Sequence, residues 1–374
     1  MASIVIQKFG GRLLETPERV KRAAAFIIQT REAGWNPVVV VSAPGKTTDQ
    51  FLSLIRQITD SPTERETDML LSVGERAAMS LLAIAINADG RYQAVSFTGS
   101  QVGIITDNRH TQARILEVKG YRLREAIAEG RIPIVAGFQG VSLDREITTL
   151  GRGGSDLTAM ALAVALKADR CELIKEFGGV FTADPVAVPE AVRHEGVDYV
   201  TLEAMTGAGA RIVQPQAAAM AREHSVSVVV RGLSNSPGTL VSDRSLAAGP
   251  AAGVVLEKGL QVSTPAALKD LIFSPRNRLR YLASTAQGII AAWKEDGQAD
   301  GTKAAALVNV VGWGGTLDET VSGAVVDFIL RSELKPWATS VAQGGLSILL
   351  DSHSGESLTR ELHSLLLREG LLSC

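Results

Sequence analysis

The run Val38-Val39-Val40-Val41 constrains the fold of this chain more than any other stretch. It is apolar without alternation, so the strand it forms must be covered on both faces, as in a parallel sheet sandwiched between helices. Its surroundings repeat the theme. Ile4-Val5-Ile6 is a short apolar strand. Thr16-Pro17-Glu18-Arg19 then opens a helix with proline at an early position, and that helix carries Val20, Ala23, Ala24, Ile27 and Ile28 on one side until Gly34 ends it. Further helices are expected over 50–59, 122–129 and 214–224, and as one long pattern over 68–88 after a polar linker at 61–66. Strands are expected at 93–97, 102–106, 132–138, 172–174 and 226–230. Strands alternating with helices make an α/β class with a mainly parallel central sheet.

The 374 residues suffice for two domains. Composition shifts at 234–238, and 246–253 is rich in Ala, Gly and Pro, which reads as a linker. The expected division is a first domain over 1–245 and a second region over 253–374. In the latter, strands at 305–311 and 346–351 flank a helix at 319–333, and a last helix follows at 358–369; together they form a small α+β unit. The stretch 260–300 has apolar patches, Leu271-Ile272-Phe273 and 289–293, but no strand can be assigned in it.

A formal charge of −2 gives no electrostatic case for nucleic acid or an anionic membrane. Two cysteines far apart, Cys171 and Cys374, make neither a disulfide framework nor a metal cluster and fit a reducing cytoplasm. The N-terminus lacks the long apolar run of a signal peptide, and no apolar run is expected to reach membrane-spanning length. No Ser/His/Asp order, HExxH or CxxC occurs, so hydrolytic triads and zinc chemistry are poorly supported.

The chemistry concentrates in Leu150-Gly151-Arg152-Gly153-Gly154-Ser155-Asp156, which reads as a glycine turn opening a helix, with Ser155 or Asp156 as N-cap. Such a turn aims N–H groups and the positive helix end at one spot, glycines let an anion approach, and Arg152 can clamp a carboxylate or phosphate. Lys8 with Gly10-Gly11 follows the first strand, where ligands sit in open α/β sheets. There it suits the β- and γ-phosphates of a nucleotide. Ser42 to Thr48 follows the second strand and offers hydroxyls and N–H groups. Gly74-Glu75-Arg76 interrupts an apolar helical pattern, and Glu75 suits a substrate ammonium. Arg211 precedes the 214–224 helix.

In this order, Gln7-Lys8-Phe9-Gly10-Gly11, the stretch 40–49, Gly74-Glu75-Arg76, and the stretches 96–101, 134–140, 149–159 and 179–185 resemble the aspartokinases of the amino-acid kinase superfamily. The resemblance covers roughly residues 3–242. The tail from about 305 resembles an ACT regulatory domain. The resemblance implies a three-layer α/β sandwich with a smaller ACT-like α+β domain. It implies transfer of the γ-phosphoryl group of ATP, with Mg2+, to the β-carboxylate of aspartate. Lys8, Gly10, Gly11, Arg152 and Asp156 would be catalytic. Thr47, Glu75, Arg152, Gly153 and Ser155 would bind aspartate, with Arg12 beside them. Lys8, Gly11, Ser42, Lys175, Glu176, Phe181, Asp184 and Arg211 would face the nucleotide. No residue is assigned to a metal. A cytoplasmic homodimer joined through the ACT-like region is implied, without nucleic-acid or membrane partners.

Four departures from the family pattern stand out. Arg12 and Leu13 occupy positions of two small hydroxyl residues. Lys175-Glu176 replaces Thr/Ser-Asp. Val186 replaces Arg, and Pro44 replaces Met. The first ACT unit, over 253–300, is shortened; the second spans about 303–374. Two alternatives follow: a different acceptor in a specialised biosynthetic pathway, with Arg12 reading an extra anionic group, or an inactive regulatory or binding homologue.

Overall fold

A computed structural model describes residues 3–234, 236–243, 249–263, 278–285, 288–294, 303–342 and 344–372. They form two compact units. The first runs to Gly179 and takes up the chain again at Val213–Asp243; the second holds Val180–Ile212 and everything from Arg244 on.

The first unit contains β1 (Ile4–Phe9), α1 (Pro17–Glu32), β2 (Asn36–Val41), α2 (Thr47–Ile58), α3 (Glu64–Leu71), α4 (Val73–Asp89), β3 (Ala94–Phe97), α5 (Gly99–Val102), β4 (Ile104–Thr106), β5 (Ile115–Val118), α6 (Tyr121–Ala128), β6 (Ile132–Ala136), β7 (Gln139–Ser142), β8 (Ile147–Thr149), α7 (Gly154–Leu166) and β9 (Arg170–Ile174). The second unit then supplies β10 (Gly196–Asp198) and α8 (Tyr199–Gly207). The chain returns as α9 (Pro215–Glu223), β11 (Val228–Arg231) and β12 (Thr239–Ser242). Within the first unit the large sheet runs β12-β11-β9-β1-β2-β6-β3, parallel except at β11–β12. A small sheet, β5-β4-β7-β8, is built from the segments on either side of β6 in the chain.

Every residue of β2 is buried, as its unbroken apolar run requires. Successive strand residues face opposite sides of a sheet. Phe9, Val39, Val41, Ile134, Ala136 and Ile174 therefore share one core with the apolar stripes of α1 and α4. Lys8 and its register partners Val40 and Leu173 face the other side, where α7 packs on β1, β2 and β9. This is the mainly parallel three-layer α/β arrangement that the sequence predicts.

Local structure corrects several expectations. The N-cap of α7 is Gly153, in the left-handed region at φ 74°, and not Ser155 or Asp156. Those two residues lie buried in the first turn, because the Asp156 carboxylate is drawn to Lys8 instead of a helix amide. The pattern over 68–88 is not one helix: α3 and α4 meet at Ser72, whose N–H bonds the Asp68 carbonyl and whose hydroxyl bonds the Met69 carbonyl. Part of the expected 61–66 linker is the start of α3. The stretch Glu64–Asp89 is also, by length and composition, long and apolar enough to cross a membrane, contrary to expectation. Here it is half buried against α1 and the sheet, as a core helix is. Val102 closes α5 and only Ile104–Thr106 is strand.

In the second unit the sheet runs β14 (Arg278–Thr285), β15 (Gly288–Lys294), β13 (Gly253–Ser263), β16 (Lys303–Val311), β18 (Gly345–Asp351), β17 (Ala338–Ala342), with every pair antiparallel. Helices α10 (Glu319–Arg331) and α11 (Gly355–Arg368) bury their apolar stripes against Val308, Val310, Ile348 and Leu350 on one face. Leu307 and Leu349 point to the other face and pack with Leu260, Val262, Tyr281 and Ala292. The stretch that sequence left unassigned thus supplies the end of β13 and two whole strands, β14 and β15. The Leu271-Ile272-Phe273 patch, Cys374 and most of the expected 246–253 linker's first half lie outside the described residues.

Candidate active site

Four loops converge at the carboxyl ends of β1, β2 and β9 in the first unit. Lys8, the penultimate residue of β1, is held by Asp156 of α7 (Nζ–Oδ1 2.7 Å). Lys175, directly after β9, approaches the other Asp156 oxygen (3.8 Å), and the Gln214 N–H donates to that oxygen (3.2 Å). Burial pushes the Asp156 carboxyl upward, but Lys175, Lys8 and the Gln214 amide outweigh it and hold the group below the usual carboxylate range. Burial lowers Lys175, against the pull of Asp156, and Lys8 adds to the lowering. Asp156 is therefore a fixed anion that aims two ammonium groups.

The turn after β2 presses against the turn after β1. Gly45 N–H donates to the Gly11 carbonyl (3.0 Å), and a Cβ on Gly11 would lie 2.3 Å from the Ala43 carbonyl oxygen, so only glycine fits there. Ala43 N–H donates to Glu75 Oε1 (3.0 Å). Glu75 is 3% exposed, and its Oε2 has no hydrogen-bond partner among the described residues. Burial drives its carboxyl up to about 7, although the amides of Ala43 and Glu75 and the charge of Lys8 oppose the rise. A buried acid with one empty oxygen is prepared to receive a cation. Gly74 gives Glu75 this approach: a Cβ there would lie 2.6 Å from the Ala43 methyl and 3.6 Å from the Thr47 methyl. Thr47 itself opens α2, its hydroxyl on the Pro44 carbonyl (2.6 Å). Ser42 is half-buried, with its N–H on the Phe9 carbonyl.

At the glycine turn Arg152 is exposed, and Ser155 is buried with its Cβ crowding the place where Gly137 would carry one. Gly10 N–H bonds the Ile174 carbonyl (3.3 Å) and Gly154 N–H the Gly151 carbonyl (3.0 Å). Among the described residues the N–H groups of Gly11, Gly153 and Ser155 make no backbone hydrogen bond outside regular helix and strand pairing. Arg12 points away from this cluster to Glu176 (3.1 Å), which also faces Arg19 (3.6 Å), while Arg19 Nη1 donates to the Arg12 carbonyl (2.6 Å). Glu176, Lys175, Arg19, Arg22, Leu13 and Leu233 line a cavity of about 230 Å3.

The structure thus brings Lys8, Asp156, Lys175 and Glu75 together with the turns at Gly10-Gly11 and Gly153. Phe181, Asp184 and Arg211 belong to the second unit. There Phe181 bridges Arg193, Asp184 caps its own turn at Val186, and Arg211 is exposed after Gly209, at φ 110°. Sequence reasoning did not single out Gln214, Ala43 or Gly45. Gln214 carried one usable signal, a residue before Pro215 that caps α9, but nothing local tied its amide to Asp156.

The sequence model of the amino acid kinase family matches residues 3–232. The chain is 48% identical over 241 residues to an aspartokinase of Mycolicibacterium smegmatis, a match covering 64% of this chain and 57% of that protein. Against aspartokinase 2 of Bacillus subtilis it is 44% identical over 243 residues, covering 65% and 59%. The matched region thus spans less than two thirds of those relatives. The structure superposes on Escherichia coli aspartokinase III, solved with aspartate and ADP, at TM-score 0.79 and 21% identity, covering 97% of this chain and all of that one. The fold likeness therefore extends past the region where sequence likeness ends.

Proposed function

Because the chain belongs to the amino acid kinase family, we propose that it moves the γ-phosphoryl group of ATP to the side-chain carboxylate of aspartate. The observation that carries this reading is the Lys8–Asp156–Lys175 cluster beside the buried, half-partnered Glu75. The names of its relatives, and the aspartate and ADP in one fold neighbour, point to the same substrates.

Phosphoryl transfer needs placement and charge neutralisation more than covalent help. Lys8, aimed by Asp156, neutralises the migrating group, and the N–H groups of Gly11 and Gly153 hold its oxygens. Glu75 takes the acceptor ammonium, Arg152 its α-carboxylate, and Thr47 and Ser155 flank them. Ser42, Lys175 and Glu176 border the nucleotide, and the family resemblance assigns Phe181, Asp184 and Arg211 to it as well. The acceptor carboxylate is ionised at neutral pH, so no general base is required. Among the described residues no three ligating side chains converge. Mg2+ accompanies the nucleotide on this reading. When bound, it would offset charge on the nucleotide phosphates.

On this reading residues 1–245 carry the catalytic machinery, although 180–212 fold with the second unit, and 253–374 are an ACT-like regulatory region that pairs two copies of a cytoplasmic enzyme. The exposed edge strand β17 supports such pairing. A coupled assay with MgATP and a panel of amino acids tests the reading: aspartate should give ADP, and no turnover with any amino-acid carboxylate would refute it. Calorimetry with ATP separates a wrong acceptor, which leaves nucleotide binding intact, from an inactive homologue.

A further inference from the structure

The acceptor half of the site is assembled from two pieces distant in sequence, and a buried carboxylate joins them. Asp68 of α3 is fully buried. Its oxygens accept from the Thr149 hydroxyl (2.5 Å) and twice from the Thr111 N–H (3.1 and 3.0 Å), and His110 Nδ1 lies 2.8 Å away. Thr149 ends β8 and leads directly into Gly151-Arg152-Gly153. Gly151 in turn lies against the loop that Asp68 holds, since a Cβ there would sit 3.2 Å from the Thr111 carbonyl oxygen. On its own side, Asp68 is followed within two turns by Ser72, Gly74 and Glu75 at the start of α4.

A second buried tie runs parallel to the first. Gln139 of β7 donates to the Ser72 carbonyl (3.0 Å) and accepts from Arg76 Nε (3.2 Å). β7 pairs with β8 in the register Gln139↔Thr149. The Glu75 helix junction and the Arg152 turn are therefore fastened at two adjacent points of one hairpin. Neither tie reaches the Lys8 or Lys175 side of the site.

We propose that Asp68 is a positioning residue that fixes the separation of Glu75 from Arg152, and so the length of the amino-acid acceptor. The proposal rests on the aspartokinase reading for the identity of that acceptor. A carboxylate is required at this place because three donors converge on it. An amide has one accepting oxygen and would turn an N–H group toward the others. A small misplacement of a substrate clamp is enough to slow a reaction by large factors.

The test compares Asp68→Asn, Thr149→Val and Thr149→Ser with the natural chain. Asp68→Asn and Thr149→Val should raise KM for aspartate about ten-fold and relax discrimination against the longer glutamate, with KM for MgATP unchanged. Thr149→Ser keeps the hydroxyl and should restore natural values. Equal loss toward both substrates, or unchanged KM values in folded variants, would overturn the proposal. Hydrogen exchange supplies a readout independent of activity. Amides over 150–154 should exchange faster in Thr149→Val and Asp68→Asn, while those over 8–14 stay as they were; equal acceleration of both stretches, or none, overturns the proposal. If the natural chain does not turn over aspartate, the aspartokinase reading fails and the exchange pattern still decides the role of Asp68.

Discussion

Replacing Glu75 with Gln should make the protein more stable in alkali while it ruins acceptor binding. Glu75 is almost fully buried, and burial is the largest cause of the rise of its carboxyl from 4.5 to about 7. A carboxyl raised in the folded state contributes its full stability while protonated in both states. That contribution fades as pH climbs through the folded value, because the unfolded chain ionises more easily. The interval from 4.5 to about 7, at about 1.4 kcal/mol per pH unit, makes ionised Glu75 cost the fold about 3 kcal/mol at high pH. Between pH 5.5 and 8.5 the change amounts to about 2 kcal/mol.

Urea unfolding at those two pH values measures it. The natural chain should lose about 2 kcal/mol more than Glu75→Gln over that range. The glutamine keeps an oxygen for the Ala43 N–H, and any deficit of its NH2 group is the same at both pH values and drops out of the difference. An ammonium bound at Glu75 favours the ionised form. KM for aspartate in the natural chain should therefore fall as pH rises through about 7, the value to which burial lifts this group, and should be high and flat in the variant. Equal pH dependence of unfolding in the two proteins would refute the reasoning.

Two further outcomes are expected. Lys8→Met removes the nearer partner of Asp156 but leaves Lys175 and the Gln214 amide, so destabilisation of about 2 kcal/mol should be seen in urea, below the full penalty for an unpaired buried charge. Turnover should drop about a thousandfold. Because the Asp156 carboxyl is depressed in the folded state, its stabilisation is present above the ordinary carboxylate range and lost as pH falls through the folded value; in Lys8→Met that loss should be smaller and complete at higher pH in an acid-unfolding series. Arg12→Ser cuts an ion pair whose arginine side chain is 71% exposed, so stability should change by no more than about 0.5 kcal/mol. Aspartate turnover should stay within about threefold on the same grounds, and a larger loss would place Arg12 on the acceptor.

The layered core could be read from the chain because burial on both faces writes itself into β2 as an unbroken apolar run, and strand parity alone separates Lys8 from Phe9. Lys8, Glu75 and Asp156 were equally legible, each standing beside glycines or at a predicted strand end. The Gly153 cap was not, since Ser155 and Asp156 are ordinary caps until a lysine from another strand claims the carboxylate. Gln214 acts on Asp156 through its backbone, which has no residue-type signature. Asp68 looked like one more polar residue at the foot of a helix, because its three donors come from the 110–111 loop and from β8. β17 escaped notice for a different reason: its side chains are small and mostly exposed, so no buried apolar periodicity marks it.

The chain leaves the first unit at Val180, re-enters it at Val213 and leaves again at Arg244. A gene cut after residue 245 would therefore not yield a tidy kinase fragment. It would strand the 180–212 excursion without its companions: the Thr182 hydroxyl would lose His363, and His194 would lose the Ala252 carbonyl. Splitting, swapping or fusing the two halves calls for moving that excursion together with the C-terminal segment. Grafts that ignore this interleaving should misassemble even when every catalytic side chain is present.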